Sequence, residues 1–392
     1  MNFAARRTTE LGLLVLGTMF VVGAYLLATL PDDSPIPTAV GPLLAITVGL
    51  PLMMHLAVRR LAPQADGMLL PLAALLNGLG YVFIVRLDEA MPSPEGLAGL
   101  QSLWMILGAA AFVVTLMVVR DARKLERYRY TAGFVGLVLL LMPLLPVVGR
   151  TINGSRIWVS LGPVNFQPGE FAKICLIVFL AGYLREKREV LAQARLKDLG
   201  PLLFIWGGAM AVLVLTNDLG GGLLYFGIFL AMLYVATAQI WFVAAGAAMF
   251  VGGAALVYTQ VGRVAERVRM WLDPWSDADG GGYQTIQSIY AIANGHFGGT
   301  GFGQGTFTDA DGNQLIPYVS TDFIYSALAQ ELGLVGISAF LLVYMLFAAR
   351  GFRIAMLAQD GFSKLLAVGL TFCFTLQTFI IVGGIVRIIP LT

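Results

Sequence analysis

Long apolar runs separated by short polar segments dominate the hydrophobic pattern of this chain. A helix needs about 20 consecutive apolar residues to cross the hydrocarbon core of a bilayer. The pattern therefore predicts an all-α, polytopic membrane protein with about eleven transmembrane helices in this chain. The predicted spans are residues 11–30, 41–58, 67–85, 99–119, 131–148, 171–184, 202–216, 219–236, 239–258, 323–348 and 364–386.

Composition supports the same class. Of the 392 residues, 58% are hydrophobic and 12% are charged, which excludes an ordinary water-soluble globule. The net charge of +2 gives no basic surface for nucleic acid, so the basic clusters are interpreted as topology signals. Residues 11–30 lack a cleavage site at their end and are predicted to remain as a membrane anchor.

The distribution of Lys and Arg sets the predicted orientation. Basic residues concentrate in segments such as 120–129 and 185–197, which are cytoplasmic if the N-terminus is cytoplasmic. Residues 31–40 and 88–96 are acidic and rich in proline, as expected for outside loops. The loops 149–168 and 260–322 are therefore predicted to face outward. The turn at 217–222 is predicted to lie on the inner side.

Several kinds of site are excluded by the residues available. Two isolated histidines and two cysteines in apolar spans give no zinc-ligand spacing. No P-loop, dinucleotide-binding glycine motif or nucleophile elbow is present. The remaining candidates are charged groups beside or inside the spans, which are functional candidates by default in a membrane protein.

One group of candidates surrounds the start of the sixth span. Glu170 and Lys173 are three residues apart on one helical face and can pair. Arg156 and Gln167 lie in the outside loop before them. Two readings stay open for this group, a structural ion pair and a polar wall for a phosphate-bearing lipid.

Acidic residues at the starts of helices form the second group. Asp218 is predicted to cap the eighth span, with the glycines after it allowing a tight turn. Asp322 ends the long outside loop directly before an apolar helix, so it is either a helix cap or an ionised general base. Glu331 lies nine residues further on, off the Asp322 face of the helix.

Six ordered stretches resemble a known family. They are NGSRIWVSLGPVNFQPGEFAK (153–173), NDLGGG (217–222), DPW…GGYQTIQS (273–288), GHFGGTGFGQG (295–305), STDFIYSALAQELGLVG (320–336) and GGIVRIIPLT (383–392). In order and spacing they closely resemble the SEDS family (shape, elongation, division and sporulation) of RodA/FtsW peptidoglycan polymerases. The chain is more similar to the RodA branch.

The resemblance implies an architecture. The family has ten membrane helices, so residues 1–66 are an extra two-helix membrane segment and 67–392 a SEDS-like core. The family continues beyond the point matching Thr392 into a last helix. Asn217 stands where the family has proline in its P-D-L-G motif.

The resemblance also implies roles for individual residues. Asp322 matches the catalytic aspartate of the family's P-x-x-x-T-D-F motif. The implied substrate-binding residues are Arg156, Gln167, Glu170, Lys173, Arg269 and Gln284, and the implied polar-cavity residues are Asp218 and Glu331.

The implied function is polymerisation of lipid II into glycan strands at the outer face of the bacterial cytoplasmic membrane, for elongation and cell shape. The expected partners are lipid II, the growing glycan strand, membrane lipids and a class B penicillin-binding protein. A divalent cation, Mg²⁺ or Mn²⁺, is a further expectation, with unknown ligands. The rival readings are a lipid II flippase and a scaffold for a crosslinking enzyme.

Overall fold

The computed structural model describes residues 3–29, 40–89, 96–146, 148–152, 155–161, 164–192, 200–309 and 314–391. Within these ranges nearly all regular structure is helical, which confirms the predicted fold class. The helices are α1 (Phe3–Thr29), α2 (Val40–Leu44), α3 (Leu50–Leu61), α4 (Leu69–Glu89), α5 (Leu97–Val118), α6 (Arg129–Leu141), α7 (Pro168–Ala192), α8 (Gly200–Leu215), α9 (Leu219–Thr237), α10 (Ile240–Gln260), α11 (Gly262–Leu272), α12 (Tyr283–Asn294), α13 (Ile324–Leu357) and α14 (Gly361–Ile385). A π-helical turn, Ala45–Gly49, joins α2 to α3.

Each predicted span overlaps a helix, although the fifth, 131–148, extends beyond the helical residues, which end at Leu144. Among the described residues, eight helical segments are long and apolar enough to cross a membrane, and α8 is a shorter apolar helix. The chain is thus a multi-pass membrane protein, and the count of eleven spans stays a prediction. In the most apolar stretches of α5 and α10 only 6% of the residues are buried, as expected for helices whose surfaces face lipid.

A small antiparallel sheet was not predicted. It contains β1 (Gly149–Ile152), β2 (Ser155–Leu161) and β3 (Val164–Phe166), in that order across the sheet. The sheet lies in the loop between α6 and α7. Val159 of β2 is fully buried. Because these strands are short and lie between long apolar runs, the hydrophobic pattern did not predict them.

The chain divides into two compact units. Unit 1 contains Met1–Arg120, Glu266–Arg350 and Val382–Leu391, whereas unit 2 contains Asp121–Ala265 and Gly351–Ile381. The predicted boundary at residue 66 between an extra segment and a core stays a prediction.

The N-terminal helices are packed into unit 1 by apolar and polar contacts. Val21 of α1 packs directly against the backbone of α4 at Gly78, where an added Cβ would lie 2.6 Å from a Val21 methyl group. Arg7 pairs with the fully buried Glu10, whose second oxygen lies 2.7 Å from His55 Nδ1 on α3. Buried charges are tolerated in spans when they are paired in this way.

Candidate functional site

The segment that carries Asp322 is a tight turn before α13. We call residues 317–323 the Asp322 segment. Tyr318 has a positive φ of 58°, a conformation that costs a non-glycine residue about 1–3 kcal/mol unless its surroundings enforce it. Its carbonyl oxygen accepts hydrogen bonds from Thr321 N (3.1 Å), Phe323 N (3.2 Å) and Thr321 Oγ1 (3.3 Å). The backbone around Asp322 is therefore fixed by its own hydrogen bonds.

Apolar packing and one glutamine hold this segment in unit 1. Val319 and Phe323 are buried in the same apolar cluster as Phe83 of α4. Gln284 Nε2 on α12 donates to Pro317 O at 2.7 Å. The predicted substrate-binding residue Gln284 is thus tied to the Asp322 segment, and its contact with substrate stays a prediction.

The Asp322 side chain lies at the surface, just outside α13, which begins at Ile324. Within the described residues it makes no cap hydrogen bond to that helix. Desolvation by the surrounding chain raises the pKa of the Asp322 carboxyl, and the positive charge of Arg267 partly opposes that shift. A surface carboxylate with a raised pKa is a suitable proton acceptor for a sugar hydroxyl.

Helix α11 carries the arginines of this region, and Arg387 fixes the end of that helix. Arg387 Nη2 donates to Trp271 O at 2.6 Å and Leu272 O at 3.0 Å, while Trp271 Nε1 donates to Arg387 O at 3.0 Å. Arg387 has a φ of 61°. The guanidinium satisfies carbonyls that the helix end leaves unpaired. Arg267 and the predicted substrate-binding Arg269 are both exposed on α11.

Glu331 is 2% exposed in α13 and accepts hydrogen bonds from Gly303 N (3.0 Å) and Gly305 N (3.2 Å). It therefore anchors residues 295–305, which we call the glycine loop. The sequence placed Glu331 away from the Asp322 face but gave no indication of this contact, because the loop is remote from it along the chain.

In unit 2 the predicted pair at the start of α7 is present. Lys173 Nζ lies 2.7 Å from Glu170 Oε2 and donates to Gln377 Oε1 of α14 at 2.8 Å. Lys173 is only 6% exposed, whereas the Glu170 side chain is 51% exposed. The ammonium group thus lies inside the fold, and its carboxylate partner reaches the surface.

Lys173 also lines a small, mostly apolar pocket. Its lining includes Leu176, Trp206, Tyr225 and Ile228. Tyr225 Oη donates to Gly169 O at 2.8 Å, next to Glu170.

Arg156 of β2 is anchored to the end of α6. Its guanidinium donates from Nε to Pro143 O at 3.0 Å and from Nη2 to Leu145 O at 3.4 Å. Gln167 is half-buried, and its carbonyl accepts the Glu170 amide at 3.2 Å as α7 begins. Asn153 and Gly154 of the same motif lie outside the described residues. A substrate role for Arg156 and Gln167 stays a prediction.

Asp218 caps α9 as predicted, accepting a 2.8 Å hydrogen bond from Gly221 N. The prediction that this turn and the loop 149–168 lie on opposite sides is wrong, however. Arg156 N donates to Thr216 O at 3.0 Å and Ser155 Oγ donates to Asn217 O at 3.2 Å. The turn and strand β2 therefore lie at the same end of unit 2. Seven predicted spans precede the turn, and this odd number predicts an outer position for it when the N-terminus is inside.

The described residues contain no group of three or more His, Cys, Asp or Glu side chains that could hold a metal ion. The expected divalent cation therefore has no ligand set within this part of the chain, and it stays a prediction.

Three long-range contacts were not predicted from the sequence. Arg86 of α4, Gln377 and Arg387 all lie in or beside apolar spans, and each makes side-chain hydrogen bonds to a distant part of its own unit. The sequence feature that could have indicated these contacts is a polar residue within or beside an apolar run. Asp322 lies in unit 1 and Lys173 in unit 2.

Comparison with known proteins gives the family. A family model described as "Cell cycle protein" (FTSW_RODA_SPOVE) matches residues 67–392. "Peptidoglycan glycosyltransferase RodA" of Mycobacterium tuberculosis is 40% identical over 99% of this chain and 84% of that protein. The protein of the same name from Mycobacterium leprae is 41% identical over 86% of this chain and 74% of that protein.

Less similar proteins support the same family assignment. "Stage V sporulation protein E" of Bacillus subtilis is 36% identical over 65% of this chain and 68% of that protein. A solved chain from a peptidoglycan synthase complex has the same fold, with a TM-score of 0.56 and 24% identity over 89% of this chain and 87% of that chain. The chain belongs to the FtsW/RodA/SpoVE family, as the sequence motifs predicted.

Proposed function

We propose that this chain is a peptidoglycan glycosyltransferase that joins lipid II units into glycan strands at the outer face of the cytoplasmic membrane. Its relationship to RodA proteins supports the class of reaction. The observation that carries the mechanism is the Asp322 carboxylate, which lies at the surface in a hydrogen-bonded turn just before α13.

Asp322 acts as the general base. It takes the proton from the acceptor sugar hydroxyl as that oxygen forms a bond to the anomeric carbon of the donor. The bond from that carbon to the pyrophosphate oxygen breaks, and undecaprenyl pyrophosphate leaves with the electron pair. The desolvation that raises the pKa of the Asp322 carboxyl makes that carboxylate a stronger base.

Positive side chains stabilise the leaving pyrophosphate. We assign this role to Lys173, with Arg156 and Arg269 as further cations, because developing negative charge needs fixed positive groups. We assign no step to a divalent cation, since the described residues supply no ligand cluster for it.

The proposal also includes the orientation of the chain in the membrane and its protein partner. The N-terminus lies in the cytoplasm and Asp322 faces outward, in keeping with the distribution of basic residues. The partner is a class B penicillin-binding protein, which crosslinks the strands that this chain makes. The assignment of that partner rests on the family resemblance.

Polymerisation by the purified chain in detergent tests the proposal. The wild-type protein should convert lipid II into glycan chains, and Asp322→Asn should lower the rate by about 10²–10⁴-fold, the usual contribution of a general base. Asp279→Asn is the matched control, because Asp279 is an exposed aspartate of the same outside loop. It should polymerise at the wild-type rate.

Each contrary outcome identifies a different error. A folded Asp322→Asn variant with near wild-type activity would reject the base. Wild-type protein that forms no glycan but moves labelled lipid II across vesicles would support the flippase. Protein with neither activity, whose Asp322→Asn variant still supports cell elongation, would support the scaffold.

A further inference from the structure

Helix α13 is broken at Gly333. This residue has φ 64° and ψ −173° inside an otherwise regular helix. An added Cβ would lie 2.2 Å from Gly299 N, so only glycine fits. Helix α13 therefore consists of an outer half, residues 324–332, and a longer inner half, residues 334–357. A break in a span leaves backbone groups that need other partners.

The glycine loop supplies these partners. Two amides after the break donate to loop carbonyls, and two carbonyls before the break accept from loop amides. The four hydrogen bonds are Leu334 N to His296 O (3.0 Å), Val335 N to Phe297 O (3.2 Å), Thr300 N to Gln330 O (2.9 Å) and Gly301 N to Glu331 O (3.1 Å). The loop and the break thus form one hydrogen-bonded structure.

Arg86 and Glu331 both bind the backbone of the next part of the loop. Glu331 accepts from the amides of Gly303 and Gly305, while Arg86 Nη2 donates to Gly303 O at 2.6 Å and Gly305 O at 3.4 Å. Arg86 Nε lies 3.9 Å from Glu331 Oε1. We call this arrangement the Arg86–Glu331 clamp. It connects α4 to the outer half of α13.

The clamp also rests on α1. An added Cβ on Gly303 would lie 2.5 Å from Ala28 O, and Phe302 packs in the apolar cluster that contains Tyr25. The loop between the two clamp residues therefore has little space in which to move.

The outer half of α13 has the clamp at one end and Asp322 at the other. Nine helical residues span about 13 Å, a short rigid rod. We propose that Arg86 is a positioning residue for Asp322, acting through Glu331 and the glycine loop. This inference rests on the proposed function. A displacement of about 1 Å at a reacting group can cost about 10²-fold in rate.

Two substitutions test the clamp by activity. Arg86→Met should lower the maximal polymerisation rate at least tenfold while the lipid II concentration for half-maximal rate changes less than twofold. Arg86→Lys should recover part of the loss, because lysine keeps the charge but lacks the forked donors. Arg353→Met is the control, since Arg353 is an exposed arginine on α13.

A double variant tests whether the two residues act as one unit. Arg86→Met with Glu331→Gln should cost no more than the costlier single substitution. Losses in rate that multiply in the double variant would overturn the clamp. So would an Arg86→Met protein whose maximal rate is unchanged.

A spectroscopic readout separates this inference from the proposed function. A nitroxide label on Thr321→Cys, in a background where Cys175 and Cys373 are replaced by alanine, reports the mobility of the Asp322 segment. Arg86→Met should increase that mobility and Arg353→Met should not. The spectrum decides the matter even if the protein makes no glycan: an unchanged label in Arg86→Met overturns the clamp, whereas a mobilised label supports it.

Discussion

The two regions that carry the candidate residues are built in opposite ways. In unit 2, Lys173 lies on a regular helix, is buried, and pairs with Glu170 one turn away. In unit 1, Asp322 lies on irregular backbone, and its neighbourhood depends on a broken helix and a loop rich in glycine. The first region depends on the position of one charged side chain, whereas the second depends on the conformation of the backbone.

This difference indicates which changes each region tolerates. A backbone conformation that requires glycine is disrupted when any side chain is added at that position, even an uncharged one. A region that depends on a cation loses its function when the charge is removed, even if the new residue has a similar size.

Gly333→Ala should have the largest effect. The new Cβ would lie 2.2 Å from Gly299 N, and φ is positive, so the break in α13 and the glycine loop cannot both persist. We expect a large fall in the thermal unfolding midpoint in detergent and loss of polymerisation. Gly80→Ala in α4 is the control, because nothing lies within 4 Å of its added Cβ. A Gly333→Ala protein with the wild-type midpoint would refute the proposed rigidity of the break.

Lys173→Met should remove activity and leave the fold. The substitution keeps an apolar stem in the pocket but removes the charge, and its partner Glu170 is half exposed and can be solvated. Loss of one stabilising group typically costs about 10²–10³-fold in rate. Glu170→Gln should cost less, because Lys173 keeps its hydrogen bond to Gln377. Polymerisation rates at several lipid II concentrations measure both.

The control for this prediction is Lys187→Met, on the same helix. Its rate should match the wild-type rate. Equal losses in Lys173→Met and Lys187→Met would show that the effect is general to α7 and would remove the special role of Lys173.

Arg267→Met should move the pH dependence. Arg267 lowers the pKa of Asp322 against the larger effect of desolvation, so its removal raises that pKa further. At a given acidic pH less of the base is then ionised. The acid limb of the pH–rate profile should shift to higher pH, and the rates should converge at neutral and alkaline pH. Arg269→Met should leave the limb in place, and a downward shift in Arg267→Met would contradict the assignment.

Asp218→Ala should have the smallest effect. It removes the cap hydrogen bond to Gly221 N, and loss of such a cap typically costs about 1 kcal/mol in the free energy of unfolding. Asp218→Asn should cost less, because its amide oxygen can still accept that bond. Thermal unfolding in detergent measures both. Equal midpoints for Asp218→Ala and wild type would show that the cap does not limit stability.

Local features were readable from the chain. The Glu170–Lys173 pair and the Asp218 cap each depend on residues three positions apart, and the structure contains both. The apolar runs likewise predicted the helices, because a span must satisfy its own backbone within one segment. The small sheet at 149–166 escaped this pattern.

Only the tertiary structure could bring Arg86, Glu331 and the glycine loop together, or tie Gln284 to Pro317 and Arg387 to Trp271. Sequence alone determined the class of protein, its motifs and its contacts within a helical turn, because those depend on apolar length and fixed helical spacing. The partners of polar groups remote along the chain depend on how the helices pack. That packing is a property of the whole fold, since each buried donor or acceptor is satisfied by whichever group lies within reach.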